Sequence, residues 1–134
     1  QLYQEMKKIF EQVREFNEAF KIPEQKEPSD RIPDEDRFLY YKLSKEENDE
    51  YFDAVAERNL IEVADALTDE LYILIGKFRK HGFTFEQAEK LFNEVHASNM
   101  SKLNKDGEPV YRVDGKVLKG ENYFKPNIKG ALWN

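Results

Sequence analysis

Two groups of carboxylates are the residues of this sequence best suited to chemistry. In "KEENDE", residues 45–50, Glu46, Glu47 and Glu50 fall within little more than one helical turn. In "LIEVADALTDELY", residues 60–72, Glu62, Asp65 and Asp69 share a sector of roughly 60°, at about 100° per residue. Apolar side chains fill most of the rest of that helix. Unpaired carboxylates held at depth must protonate, find cations or bind metal. Glu47 and Glu50 facing Glu62 and Asp65 would make an all-oxygen site for a hard cation such as Mg²⁺. The chain has no cysteine and two histidines, so Zn²⁺ is a poor alternative. The plain alternative is that "KEENDE" is a solvated face, as most charge runs are.

The elements that must position these acids follow from periodicity. Residues 2–21 place Leu2, Met6, Ile9, Phe10, Val13, Phe16 and Phe20 at helical spacing. A loop with three prolines follows. A second helix is expected from about residue 33 or 34 to 57, unbroken, with Phe38, Tyr41, Leu43, Phe52 and Val55 inward. Asn59 with Glu62 has the spacing of a capping box, opening a third helix that ends near His81 and Gly82. A short connection at Arg58 and Asn59 makes these two helices antiparallel neighbours. The third helix, apolar on nearly every side, is expected at the centre of a bundle. Thr84 with Gln87 opens a fourth helix, to roughly Lys102. In "EPVYRVDGKVLKG" the pattern alternates around Asp114-Gly115, a hairpin signal, and an irregular aromatic tail follows. The expected fold is all-α: one domain over residues 1–134, a four-helix bundle core over about 2–104 and a small C-terminal β-hairpin with its tail over about 108–134.

Composition narrows the function. A net charge of −6 without a basic tract argues against a nucleic-acid binder. No apolar run approaches the roughly 20 residues of a membrane span. The opening "QLYQEMKKIF" is charged and amphipathic, unlike a secretory signal. The lack of cysteine fits a reducing cytoplasm, the expected location.

"EENDE" followed by "EVADALTDELYILIG" resembles the MazG-like nucleotide pyrophosphohydrolases. These belong to the all-α superfamily that also holds phosphoribosyl-ATP pyrophosphohydrolases and dimeric dUTPases. Its signature, E-x-x-E then E-x-x-D, reads here as Glu47-x-x-Glu50 and Glu62-x-x-Asp65. "VREFNEAFKIP", "EVHASNMSKL" and "DGKVLKGENYFKP" extend the likeness over most of the chain. The resemblance implies Mg²⁺-dependent cleavage of a nucleoside triphosphate to monophosphate and pyrophosphate, with Mn²⁺ as a substitute metal. It implies Glu47, Glu50, Glu62 and Asp65 as ligands and Glu46, beside Glu47, as the residue acting on the attacking water. Asn99 and Lys102, three residues apart at the end of the fourth helix, become candidates for binding the phosphate chain. Asn17 stands where the family often has a polar residue. Lys119 and Tyr123 could close over the nucleotide. His96 reads as a structural histidine, His81 as a residue at a helix C-terminus, and Phe16, Phe20 and Phe38 as core. The third helix is apolar on more sides than one layer of neighbours can use, the first carries the bulky set Phe10, Phe16 and Phe20, and the ribbon and tail add further apolar residues; together they point to a homodimer or homotetramer, as the resemblance also implies. Two rivals stay open: an enzyme acting on phosphoribosyl-ATP, and a noncatalytic nucleotide-binding or interaction module.

Overall fold

The computed structural model describes the backbone of residues 2–133 and the side chains of residues 5–133; the inward placement expected of Leu2 lies outside the described side chains. The chain divides into two compact units, residues 1–85 and 86–134. The first contains helices α1 (Leu2–Ala19), α2 (Asp34–Ala56) and α3 (Leu60–Lys80). α2 starts with Asp34, Glu35 and Asp36, acids at the positive end of its dipole, and runs unbroken through Ser44 as expected. It closes with Arg58 in the left-handed region, φ 55°. There the Asn59 N–H donates to the Ala54 carbonyl at 3.0 Å. Asn59 then caps α3, its side chain accepting from the Glu62 N–H at 3.2 Å. Between Ala56 and Leu60 there is room only for reversal, so α2 and α3 form an antiparallel pair, the most extensive helix packing of this unit, and α1 lies against α3.

The register of that pair is set by three contacts. Lys80 pairs with Asp36 at 3.0 Å. A Cβ on Gly76 would stand 3.8 Å from the Tyr40 ring. Two helical turns on, the charge of Asp69 acts on Glu47. The α2 side of the seam thus follows Asp36, Tyr40, Leu43, Glu47 and Ala54, at spacings of four, three, four and seven. This corrects the expected inward set. Phe38, Tyr41, Phe52 and Val55 are exposed, because one helix pair offers α2 one seam and that seam is taken. α3 is likewise not enclosed: Glu62 and Asp65 are exposed, as are Leu60, Ile61, Leu67, Leu71 and Leu74. The core of the unit is built from Phe10, Val13, Ala54, Ala66 and Ile75. Phe10 meets Phe78 and Phe85 at 6.0 and 5.4 Å between ring centroids. Phe20 and Phe38, expected in the core, are exposed, and Phe16 is only partly covered.

The loop between α1 and α2 is tied to the C-terminus of α3. Gln25 and Ser29 N–H groups donate to the carbonyls of Lys80 and His81, at 3.2 and 2.9 Å. His81 is the C-cap residue of α3, as expected, with Nδ1 2.8 Å from the Ser29 carbonyl oxygen. Gly82 follows at φ 85°, where a Cβ would stand 2.3 Å from the Glu27 carbonyl oxygen. Glycine is required there on both counts.

Helix α4 (Phe85–Met100) supplies the long helix of the second unit. The chain after it folds back along its C-terminal half. Ser98 donates to the Phe124 carbonyl at 2.8 Å, and the Asn127 N–H donates to Glu94 at 2.8 Å. The expected β-hairpin is reduced to one antiparallel bridge, Tyr111 to Val117. The Asp114-Gly115 turn does form, with Gly115 at φ 89° and Arg112 held by Asp114. Two short strands without a sheet or helix face to lie on do not extend further, and Val113 is fully exposed. The tail is not wholly irregular: Ile128–Trp133 forms a short helix, α5, whose first turn Asn127 caps by accepting from the Gly130 N–H at 2.9 Å. The four long helices expected are present, three in the first unit and α4 in the second. Among the described residues, no helix is long and apolar enough to cross a membrane.

Candidate functional site

The seam between α2 and α3 is where the acids gather. Glu47 occupies a seam position that packing alone would give to an apolar residue. One of its carboxyl oxygens, Oε2, is closed off from solvent without a hydrogen-bond partner. Burial, then a hydrogen bond and the charge of Glu50, then the charges of Asp69 and Asp65, push the Glu47 carboxyl up to about 7. These four acids thus share one electrostatic neighbourhood. Glu62, expected with Asp65 to face Glu47 and Glu50, lies one turn before Asp65 on α3; its backbone N–H is the group capped by Asn59. Glu46 is exposed. Lys45 and Asp49 pair with each other at 2.7 Å on the exposed side, so part of "KEENDE" is indeed a solvated face.

Among the described residues, no three acidic or imidazole side chains stand close enough together to grip one metal ion. The donor set nonetheless fits a hard cation in kind. It is all oxygen, it comes from two helices in fixed register, and it includes a closed-off oxygen with no partner. Long glutamate side chains have the rotamer freedom to close on an ion from such positions.

Next to the acids, α1, α2 and α3 enclose a cavity of about 580 Å³. Leu43, one turn before Glu47, and Tyr72 and Ile73, one turn after Asp69, line it. Aromatic groups shape its walls: Phe16 meets Tyr72 edge to face at 5.7 Å, and Tyr40 lies across from Gly76. Its polar groups include Asn17 and the Asp36–Lys80 pair. Lys80 also donates to the Pro23 carbonyl at 2.9 Å. Asn17 is buried, and its amide donates to Glu24 at 2.9 Å, which in turn pairs with Arg79 at 3.0 Å.

The other expected substrate ligands belong to the second unit. Asn99 is exposed on α4 and Lys102 is half-buried just past its end. The Gly120 N–H donates to the Lys102 carbonyl at 2.8 Å, which brings residues 119–123 beside the helix end. Lys119 is there engaged over the Tyr123 ring, 4.7 Å from its centroid. His96 is exposed rather than a core histidine.

Sequence reasoning gave Asp69 little weight and missed Tyr40, Tyr72, Asp36 and Lys80. Their signal was present: Asp69, Tyr72, Gly76 and Lys80 continue the three-and-four spacing of Glu62 and Asp65. Glu24 and Arg79, which orient Asn17, lie 55 positions apart with no pattern to link them.

No curated protein matches the chain. A family model does, that of phosphoribosyl-ATP pyrophosphohydrolase, over residues 13–99. The match spans the second half of α1, both acid-bearing helices and nearly all of α4. The chain therefore belongs to the phosphoribosyl-ATP pyrophosphohydrolase family, within the all-α nucleoside triphosphate pyrophosphohydrolase superfamily.

Proposed function

We propose that this protein is a Mg²⁺-dependent nucleoside triphosphate pyrophosphohydrolase of the MazG-like kind, releasing a nucleoside monophosphate and pyrophosphate. The observation that carries this is the juxtaposition of an aromatic-walled cavity with the carboxylates of the α2–α3 seam, one helical turn away on both helices. A volume of about 580 Å³ suits a ligand of nucleoside size. The acids alone would repel a triphosphate. Glu47, Glu50, Asp65 and Asp69 would hold the cation, with Glu62 the next oxygen donor along the seam. Bound there, Mg²⁺ supplies charge neutralisation and polarisation of a phosphoryl oxygen. Glu46, exposed beside Glu47, would take the proton of the attacking water. Asn99 and Lys102 are proposed as groups for the phosphate chain, Lys119 and Tyr123 as residues that close over the nucleotide, and Asn17 as a contact to the base. The active form is proposed to be a homodimer or homotetramer.

The family assignment favours a second reading, in which the substrate is phosphoribosyl-ATP itself. Purified protein with Mg²⁺, or Mn²⁺ in its place, offered natural triphosphates and phosphoribosyl-ATP with products separated, tests both. The first reading expects pyrophosphate and a nucleoside monophosphate from one or more simple triphosphates. Turnover of phosphoribosyl-ATP alone would select the second. Turnover of none, with binding retained, would leave a nucleotide-binding module.

A further inference from the structure

We infer that Asn17 presents a fixed hydrogen-bond acceptor to the cavity, so that the cavity selects nucleotides whose base offers an exocyclic amine over those offering a carbonyl at the same ring position. The inference rests on the cavity being the nucleoside site proposed above.

Asn17 is 5% exposed and lines the cavity. Its amide Nδ2 lies 2.9 Å from Glu24 Oε2. That same oxygen accepts from Arg79 Nε at 3.0 Å. A carboxylate in an ion pair with arginine has no proton to give, so it can only accept. Turning the Asn17 amide over would set Oδ1 against a carboxylate oxygen, and the Arg79 pairing would then hold the repulsion in place. The orientation of this amide is thus dictated by its neighbour. Glu24 and Arg79 do not line the cavity; they border a separate polar hollow that Asn17 does not line. The NH₂ group therefore points away from the cavity and Oδ1 is left towards it. Among the described residues, the closed-off side-chain atom without a partner is Glu47 Oε2. Asn17 Oδ1 is not such an atom, and with Nδ2 engaged by Glu24 it is the amide atom left for the cavity that Asn17 lines. The nearby Asp36–Lys80 pair is satisfied internally and by the Pro23 carbonyl. A base stacked against Phe16 or Tyr72 would meet one open, pre-oriented acceptor. An amine there gains a hydrogen bond. A carbonyl there faces oxygen with oxygen, and an unmet buried polar group costs about tenfold or more in affinity.

The test is calorimetric titration, with Mg²⁺, of the non-hydrolysable α,β-methylene analogues of dCTP and dUTP, and of ATP and ITP. Each pair differs by amine against carbonyl at one ring position. In the pair whose ring size binds, the amine partner is expected to bind about tenfold or more tightly. Equal binding, a carbonyl preference, or no binding of any analogue would overturn the inference. The wild-type ratio is readable whether or not any variant folds. Asn17→Ala adds a stronger arm. It removes the acceptor and leaves the aromatic walls of the cavity in place. The preference should then fall to about one, even if both partners bind more weakly; an unchanged ratio would show that another group sets it and would overturn the inference. Pyrophosphate release, measured in parallel with dCTP and dUTP, separates the two claims. Amine preference without release sinks the catalytic reading and keeps the acceptor. Release without preference does the reverse.

Discussion

At the scale of single residues, Glu47 is the group whose environment is most clearly set by something other than folding. Burial and then Glu50, Asp69 and Asp65 raise its carboxyl from 4.5 to about 7. Between those values the folded chain binds more of this proton than the unfolded chain does. Its contribution to stability is therefore fully present below about 4.5 and lost as pH rises through about 7. In metal-free protein, Glu47→Gln should stabilise the fold at pH 8 and do nothing at pH 4.5. Because the side chain is only half-buried, solvent screening holds the gain to the order of 1 kcal/mol. Urea denaturation at the two pH values reads this directly; an equal effect at both would remove the charge explanation. Mg²⁺ should stabilise the wild type at pH 8 far more than the variant, since a bound ion replaces the proton. Asp69→Asn should weaken that stabilisation as much as Asp65→Asn does. If Asp69→Asn leaves it intact, the charge of Asp69 on Glu47 has no bearing on metal binding.

At the scale of elements, residues 57–59 decide which acids meet. Arg58 takes φ 55°, a left-handed conformation that costs a non-glycine residue about 1 kcal/mol. Arg58→Gly should raise the unfolding free energy by about that much, read as a higher urea midpoint with the denaturant slope unchanged. A fall in the midpoint would mean that the Arg58 side chain contributes more than its backbone costs. The same segment shows what the sequence makes legible. Local chemistry marked Asn59 as a cap, Gly82 as a stop and the second helix as unbroken, because each depends on neighbours within four positions. The partner of Glu47 was not legible in that way. Register between two helices is fixed by distant packing, here Lys80 on Asp36 and Gly76 beside Tyr40, and it brings Asp69 as well as Asp65 to bear on Glu47. The hairpin erred for a related reason. Asp114-Gly115 does specify a turn, but strands need a surface that no local pattern guarantees. The orientation of Asn17 depends on Glu24 and Arg79 and was beyond any reading of spacing.

At the scale of the molecule, the two sides of α3 make opposite demands. One side carries the acids and faces α2. On the other, Leu60, Leu67, Leu71 and Leu74 fall within about 60° of one another, at about 100° per residue, and all are exposed, Leu60 at 79%. Ile61 adds an 80% exposed side chain at the start of the helix. A continuous leucine stripe four turns long is not the scattered apolar exposure usual on monomers. Its spacing of seven, four and three residues is the pattern that packs against another helix bearing the same stripe. A second copy of the chain meets that requirement by two-fold symmetry, since the patch is then its own complement. Such pairing would also fix α3 from behind and so hold Asp65 and Asp69 against α2. Light scattering at micromolar concentration should therefore give at least twice the chain mass of 15.9 kDa. Leu67→Lys combined with Leu71→Lys places two charges in the middle of the stripe, away from the acids, and should shift the protein towards monomer. A wild-type monomer that hydrolyses nucleotide at full rate would show that the stripe serves another purpose.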